Sequence, residues 1–462
     1  MEKGKRFEIA VIGAGITGIA TAYYLCKEYG RRSVVLIDSR DPMSYTSAQS
    51  GDNYRDWWPH RVMADFTNDS IDLMEKIARD SLNIFQMNRR GYAIATRSGN
   101  IDGLLAGLEA SYSGVKNQIR IHEQLSAGSY PDPLSDNWQS KVGGVDVLSN
   151  KALIQQTFPS FSTDIQHVLH IRRAGDISGQ QLGQTMLEQV KPLGCSRIRG
   201  RVVGLARNQG YYLDIQTPEE VISIHADIVV NAAGPFVGNV GEMLGIKLPV
   251  KNIFHQKIAF EDHLAAIPRD QPFAIDMDER LLDWSEDERS MLLEDCELKW
   301  LTQPIEGGIH CRPEGGLSSK WIKLGWAYNR LESIPNDSKE LVEDIHFNSH
   351  FPEIVMRGAA ALNPGLRQYY EALPPKRVHY GGYYTMTEEN WPLIGPMDES
   401  GAYVAGALSG FGSMAACASG ALCAAWICDG KLPAYANALS LSRYNNQELM
   451  SEIRQAENIG LL

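Results

Sequence analysis

None of the seven cysteines (Cys26, Cys195, Cys296, Cys311, Cys417, Cys423 and Cys428) stands in a Cys-x-x-Cys pair, and their number is odd. That pattern speaks against a disulfide framework and a zinc site, and for a reducing compartment. Also missing is any apolar run near the roughly 20 residues of a membrane span. The opening residues Met1-Glu2-Lys3-Gly4-Lys5-Arg6 are basic, but the apolar stretch behind them is too short for the core of a signal peptide. A cytoplasmic protein is therefore expected. Positive charge is in deficit, with 44 basic against 56 acidic residues and a formal net charge of −12. This disfavours nucleic acid and anionic membrane as partners. What is present is an ordinary globular composition, 44% hydrophobic and 22% charged over 462 residues. That length suits one large α/β body plus a second domain, as a monomer or homodimer.

The most informative stretch lies near the start. Ile9-Ala10-Val11-Ile12 reads as a short buried strand, and it runs into Gly13-Ala14-Gly15-Ile16-Thr17-Gly18. A helical pattern follows to Gly30, then a second apolar strand, 33–37, ends on Asp38. Gly13 permits a tight turn, Gly15 lets a pyrophosphate approach backbone N–H groups, and Gly18 lets helix and sheet pack closely. Asp38 can accept from both hydroxyls of an adenosine ribose and disfavours a 2′-phosphate. FAD or NAD is implied, and NADP is not.

Residues 47–60 are small and polar, then abruptly aromatic: Ser47-Ala48-Gln49-Ser50-Gly51-Asp52-Asn53-Tyr54-Arg55-Asp56-Trp57-Trp58-Pro59-His60. Small residues suit a loop pressed on a phosphate or a flavin ring, with Arg55, Trp57, Trp58 and His60 facing outward. The stretch reads equally well as a surface loop whose tryptophans cap a core edge. A strand is expected at 92–95, a helix at 180–190, and strands at 201–203, 211–215 and 224–230. The last of these ends in Asn231-Ala232-Ala233-Gly234, small residues suited to a sheet whose carboxyl ends crowd a nucleotide. Segments 254–260 and 321–328 alternate like antiparallel strands. The acidic stretch between them, 263–320, reads as an insertion with a solvated face. Residues 338–372 are expected to be helical.

Near the far end a strand, 402–405, meets Gly406-Ala407-Leu408-Ser409-Gly410-Phe411-Gly412-Ser413 and then a helix of small residues, 414–427. This second glycine-rich junction aims N–H groups and a positive dipole end at something negative. An NAD dehydrogenase has no use for it there, whereas a reduced flavin carries negative charge that a helix start stabilises. FAD is the cofactor that fits both junctions.

With these residues in place, the chain resembles the FAD-dependent amine oxidases of the sarcosine oxidase and D-amino-acid oxidase (DAO) type. The match spans nearly the whole chain in order: Val11 to Gly15 with Asp38, Ser47 to Arg55, Asn231 to Gly234, then Tyr384-Thr385 through Pro392-Leu393-Ile394-Gly395-Pro396 to Leu408-Ser409-Gly410-Phe411-Gly412. The resemblance implies an α/β fold, with a Rossmann-like FAD-binding domain of the glutathione-reductase type and a second, antiparallel-sheet substrate domain. The expected division is 1–90, 150–245 and 370–462 for FAD, against 91–149 and 246–369 for substrate. Cofactor contacts are expected from Gly13, Ala14, Gly15, Ile16, Thr17, Gly18, Asp38, Ser39 and Arg40; from Ser47, Gln49, Ser50, Gly51 and Val203; from Ala232, Ala233 and Gly234; and from Gly406, Leu408, Ser409, Gly410, Phe411, Gly412, Ser413 and Met414. In Ile322-Lys323-Leu324-Gly325 the resemblance places Lys323 near flavin N5, where a cation favours reaction with O2.

Departures from the family pattern bear on the substrate. Gly382 stands where monomeric sarcosine oxidases carry the cysteine joined to flavin, Met414 where they carry a carboxylate-binding lysine, and Ala327 where they carry a histidine. Arg55 matches their arginine in the early loop. The expected substrate pocket (Asn53, Trp57, Trp58, Met386, Phe411 and Met414, with Tyr328 nearby) is bulky and apolar, and implies an amine larger or more apolar than sarcosine. Lys323, Arg55 and Tyr328 are the expected catalytic residues, and no metal is expected. The expected reaction is hydride transfer to the flavin, hydrolysis of the imine, and reduction of O2 to H2O2. A dehydrogenase passing electrons to a quinone or protein, a flavin monooxygenase, and a non-catalytic flavoprotein are the competing readings.

Overall fold

The strand Arg6–Ile12 is buried along its inner length, as expected for a central parallel strand. It lies between Val34–Asp38 and Val221–Asn231, with Ile12 registered against Ile37 on one side and Asn231 on the other. Cys195–Arg199 extends this parallel core beyond Val34–Asp38. Ala402–Gly406 adds parallel to the carboxyl end of Val221–Asn231, while Tyr211–Gln216 pairs antiparallel with its amino end. The resulting sheet has eight strands, and the carboxyl ends of three of its segments, at Ile12, Asn231 and Val404, are level with one another. These observations come from a computed structural model that describes residues 5–112, 115, 118–125, 130, 137–328 and 347–456.

Two helices cross on one face of this sheet at unusually close range. Ile16–Lys27 packs on Gly412–Ile427, where a Cβ on Gly420 would stand 2.4 Å from the carbonyl carbon of Ala20. The small-residue run of the second helix exists for this approach. Every residue from Ser413 to Gly420 is buried.

The second sheet has nine strands in the order Arg377–Met386, Lys251–Glu261, Trp321–Trp326, Ile309–Pro313, Phe273–Asp276, Tyr92–Thr96, His167–Ile171, Val145–Leu148, Ile119–His122. It is mostly antiparallel, with two parallel pairings, Phe273–Asp276 on Tyr92–Thr96 and Ile119–His122 on Val145–Leu148. Two expectations change here. The stretch 263–320 is no insertion, because it supplies Phe273–Asp276 and Ile309–Pro313 to the middle of the sheet. The strands His167–Ile171 and Arg377–Met386 pair in this second sheet, although they lie in stretches assigned from sequence to the FAD-binding domain. The helix Glu286–Glu294 within 263–320 does keep a solvated face, since none of its residues is buried. Of the helical expectation for 338–372, Phe351–Leu362 and the 3-10 turn Pro364–Tyr369 are observed, while 338–346 fall outside the described residues.

Side-chain alternation divides the two faces of the second sheet. Ile322, Leu324, Trp326 and then Tyr328 pack with Phe351, Ile354 and Val355 of the helix Phe351–Leu362. Lys323, Gly325 and Ala327 take the opposite face, the one turned to the cavities described next. Among the described residues no helix is long and apolar enough to cross a membrane.

Candidate active site

A cavity of about 680 Å³ opens at the carboxyl ends of the eight-stranded sheet. The turn at its base demands glycine, because Gly13 has φ +110° and a Cβ there would stand 2.2 Å from the carbonyl oxygen of Ala232. Asp38 holds the turn from below: its Oδ2 accepts from the Ala14 N–H at 2.8 Å and its Oδ1 from the Arg40 N–H at 2.9 Å. The loop carrying Ser47 is fastened to the helix start, where the Ile16 N–H donates to Ser47 Oγ at 3.0 Å. At the opposite wall the helix Gly412–Ile427 begins, with Ser413 Oγ 2.8 Å from Ser50 Oγ and 3.0 Å from Asp52 Oδ1. Asp52, Ala407 and Ser409, which line the cavities, all hold left-handed backbone, with φ of 57°, 56° and 44°.

The lining brings together most of the residues expected to touch a cofactor: Gly13, Ala14, Gly15, Ile16, Thr17, Asp38, Ser39, Arg40, Ser47, Gln49, Ser50, Gly51, Val203, Ala232, Ala233, Gly234, Gly406, Leu408, Ser409, Gly410, Gly412 and Ser413. Gly18 is not among them. It lies one turn inside the helix, where a Cβ would meet the Gly13 carbonyl oxygen at 2.1 Å, so its role is close packing. Phe411 and Met414 also leave this list, because they line the neighbouring cavity. Two helix N-termini, a glycine turn with no room for Cβ and a carboxylate at the next strand end together suit a long dinucleotide.

A second cavity of about 170 Å³ adjoins the first, and Gly51, Tyr384, Ser409 and Gly410 line both. A Cβ on Gly410 would strike the Tyr384 ring at 2.6 Å, so the glycine lets this dividing wall form. Of the expected pocket, Asn53, Trp58, Met386, Phe411 and Met414 line this cavity together with Arg55. Trp58 and Phe411 meet edge to face at 4.9 Å, and Tyr92 and Phe273 close the far side at 4.4 Å. Arg55 is 2% exposed, with its guanidinium 4.8 Å from the Trp58 ring and 4.9 Å from Tyr92. Its Nε and Nη1 have no hydrogen-bond partner.

Four expectations fail here. Trp57 is fully buried in the cluster with Ile94, Leu108 and Phe273, because the chain bends after the strand Asn53–Arg55 and turns Trp58, not Trp57, to the cavity. Tyr328 lies on the wrong face of its strand, in the core with Trp326 and Phe351. Lys323 has the right face but lines neither cavity; its Nζ is 2.9 Å from Glu314 Oε2, and burial followed by Arg312 lowers its pKa. His60, read as outward-facing, instead caps the helix Arg61–Asp80 and packs on Trp391. The ammonium that does line the second cavity is Lys257, with Nζ 3.3 Å from Tyr384 Oη and 3.4 Å from the Gln49 carbonyl.

Two histidines join it. His255 lies against Tyr384 with ring centres 4.2 Å apart and planes tilted by 51°, and burial followed by the Lys257 charge pushes its pKa down to about 3. His310 is pushed down to about 4 by burial and the charges of Lys257 and Arg312, against the opposing bond to the Gly308 carbonyl. Sequence reading missed His255, Lys257 and His310. The signal was available in His255-Gln256-Lys257, whose alternation puts both polar side chains on one face of an otherwise apolar strand.

The sequence model of the FAD-dependent oxidoreductase (DAO) family matches residues 8–426. Human mitochondrial dimethylglycine dehydrogenase is 22% identical over 450 residues, which are 95% of this chain and 44% of that protein. The chain thus spans less than half the length of that relative. Among solved structures, L-proline dehydrogenase from P. horikoshii superposes with a TM-score of 0.70 at 18% identity, covering 96% of this chain and 99% of that one. Glycine oxidase from Geobacillus kaustophilus gives 0.67 at 16%, covering 95% and 99%. Likenesses at such identities speak to the fold, and the fold they share is the two-sheet arrangement described above.

Proposed function

Because the chain belongs to the DAO family of FAD-dependent oxidoreductases, we propose that it oxidises the C–N bond of an amine that also carries a carboxylate. In this reading the larger cavity holds FAD and the smaller one the substrate. The eight-stranded sheet with its helices forms the cofactor part, and the nine-stranded sheet the substrate part. One observation carries the substrate class: a fully buried guanidinium with two nitrogens lacking partners lines the cavity that adjoins the larger one. A buried cation in that state calls for an anion, and a carboxylate matches its fork geometry. The apolar and aromatic walls favour a side chain or ring larger than the methyl group of sarcosine.

FAD, when bound, supplies the acceptor for the hydride equivalent and the route for electrons to an external oxidant. The chain's own residues bind, orient and exclude water. Gly13, the start of the helix Ile16–Lys27 and Asp38 hold the dinucleotide end, while the start of Gly412–Ile427 offers its positive end to the flavin end. Arg55 anchors the substrate carboxylate, and Trp58, Tyr92, Phe273, Phe411, Met386 and Met414 exclude water and select apolar bulk. Lys257 sits where the two cavities meet and supplies the positive charge that stabilises charge developing on reduced oxygen. That charge supports an oxidase.

The test is anaerobic mixing of the yellow protein with N-methyl amino acids, D-amino acids and cyclic imino acids, followed by air. Bleaching of the visible band that returns in air with peroxide supports the oxidase reading. Bleaching that returns only with a quinone dye makes the protein a dehydrogenase and removes Lys257 from oxygen chemistry. Bleaching by amines without a carboxylate as readily as by those with one overturns the role of Arg55.

A further inference from the structure

His310 is the polar side chain of the smaller cavity whose hydrogen-bonding direction is fixed. Its Nδ1 lies 3.0 Å from the Gly308 carbonyl, and a carbonyl can only accept, so Nδ1 carries the proton. Nε2 is left as an acceptor. The ring lies over Gly325, where a Cβ would stand 2.4 Å from Nε2, so only glycine at 325 lets the imidazole occupy this place. Lys257, Gly325 and His310 form one cross-strand row on the face of the sheet turned to the cavity. The other acceptors lining the cavity are less defined, and His255, also neutral, has no hydrogen bond among the described residues that fixes which of its nitrogens carries the proton. Asp52 is occupied, its Oδ2 by the Gly179 N–H at 3.1 Å and its Oδ1 by Ser413 at 3.0 Å. Asn53 and Asn390 carry amides that can turn either a donor or an acceptor to the cavity.

We propose that Nε2 of His310 accepts an N–H of the substrate amine, and so holds the nitrogen while Arg55 holds the carboxylate. The inference rests on the substrate reading above and adds the second anchor. The groups around His310 explain why it stays an acceptor: Lys257 from the strand beyond Gly325 and Arg312 two positions along its own strand are cations, and His255 on the Lys257 strand is itself held neutral. Burial and these charges keep the imidazole neutral through neutral pH. A substrate nitrogen entering this cation-lined space meets one fixed acceptor, and an ether, thioether or hydrocarbon at the same place meets none.

The experiment compares DL-proline with cyclopentanecarboxylate, two carboxylates of one shape that differ in carrying an amine or a methylene. A cavity of about 170 Å³ is near the volume of one known to admit benzene (about 150 Å³), so a single ring fits. Binding of cyclopentanecarboxylate is read as perturbation of the visible flavin band of the anaerobic holoenzyme, and that of DL-proline as the same perturbation or, where the band bleaches, as the concentration giving half the maximal bleaching rate. In the wild type DL-proline should bind about tenfold more tightly than cyclopentanecarboxylate. His310→Leu should erase that difference while moving cyclopentanecarboxylate less than about twofold, and His310→Gln, which restores an acceptor, should recover most of it. Loss of both ligands together in both variants would mean a structural role and overturn the proposal. Unchanged discrimination in His310→Leu, with loss in Asn390→Ala, would give the amine to Asn390 and overturn it too. If neither ligand perturbs the wild-type band, the substrate reading itself fails and takes this inference with it.

Discussion

Arg55 combines two demands that pull against each other. Its side chain is packed between aromatic rings as an apolar residue would be, yet it carries a charge whose removal from water costs several kcal/mol unless something answers it. Replacement by Met retains the packing and deletes the charge. For a carboxylate-bearing amine the apparent KM should rise at least about 30-fold, an effect of ~2 kcal/mol, with the folded protein still yellow. A carboxylate-free amine of equal size should show little change. The buried histidines give a second residue-scale expectation. Unfolded imidazoles titrate near 6.5, whereas His255 and His310 titrate near 3 and 4 in the folded chain. Between pH 6.5 and about 4 the unfolded chain therefore binds more protons, and stability falls as pH falls. Melting temperatures across that window should decline on acidification, and His310→Gln should flatten the slope. No such flattening would mean that the imidazole is not neutral in the folded state.

Residue parity also marks the limit of what the chain alone discloses. Trp57 and Trp58 are adjacent, as are Ala327 and Tyr328, and within each pair one residue lines the smaller cavity while its neighbour lies in a core cluster. Composition favours the bulky aromatic in both cases and is right for Trp58 only. Which side chain of such a pair meets a ligand depends on what packs on the other side: the helix Phe351–Leu362 for Tyr328, and the cluster of Ile94, Leu108 and Phe273 for Trp57. Those contacts come from residues more than twenty positions away.

Among elements, the crossing of Ile16–Lys27 with Gly412–Ile427 has little tolerance. Both helices begin at the larger cavity, so their separation sets the spacing of its two walls. Gly420→Val places side-chain atoms where the Ala20 backbone now lies, and overpacking of that kind costs about 1–3 kcal/mol. The variant should melt lower and retain less FAD after gel filtration than the wild type. Full flavin occupancy at a lowered melting temperature would show that the walls move independently of the cofactor. The glycine turns and the acid at Asp38 were legible beforehand because each answers a local steric or hydrogen-bonding demand. The nine-stranded sheet was legible only in pieces. Phe273–Asp276 is too short and too mixed to stand out, and it acquires strand character from its neighbours Tyr92–Thr96 and Ile309–Pro313.

At the scale of the whole molecule, FAD belongs to the stability of the fold as well as to its chemistry. A ligand that binds the folded form alone stabilises it by about 2.7 kcal/mol at a hundredfold excess over Kd. Removal of FAD should lower the melting temperature, and titrating it back should restore it in a concentration-dependent way. An apoprotein melting at the holoprotein's temperature would contradict a cofactor seated between the two helix starts.

The contact of Ser413 with Ser50 spans 363 positions of chain. At about 5–20 residues per second, a ribosome needs roughly 20–70 s to travel between them. Through that interval the glycine turn near the start is already made, but the wall that faces it does not yet exist. Flavin capture therefore waits until Ser413 and the helix it opens have emerged. Nascent chains arrested before the helix Gly412–Ile427 has emerged should carry no flavin fluorescence change, and those arrested after it should. The two walls of the flavin site are thus separated in time as well as in sequence.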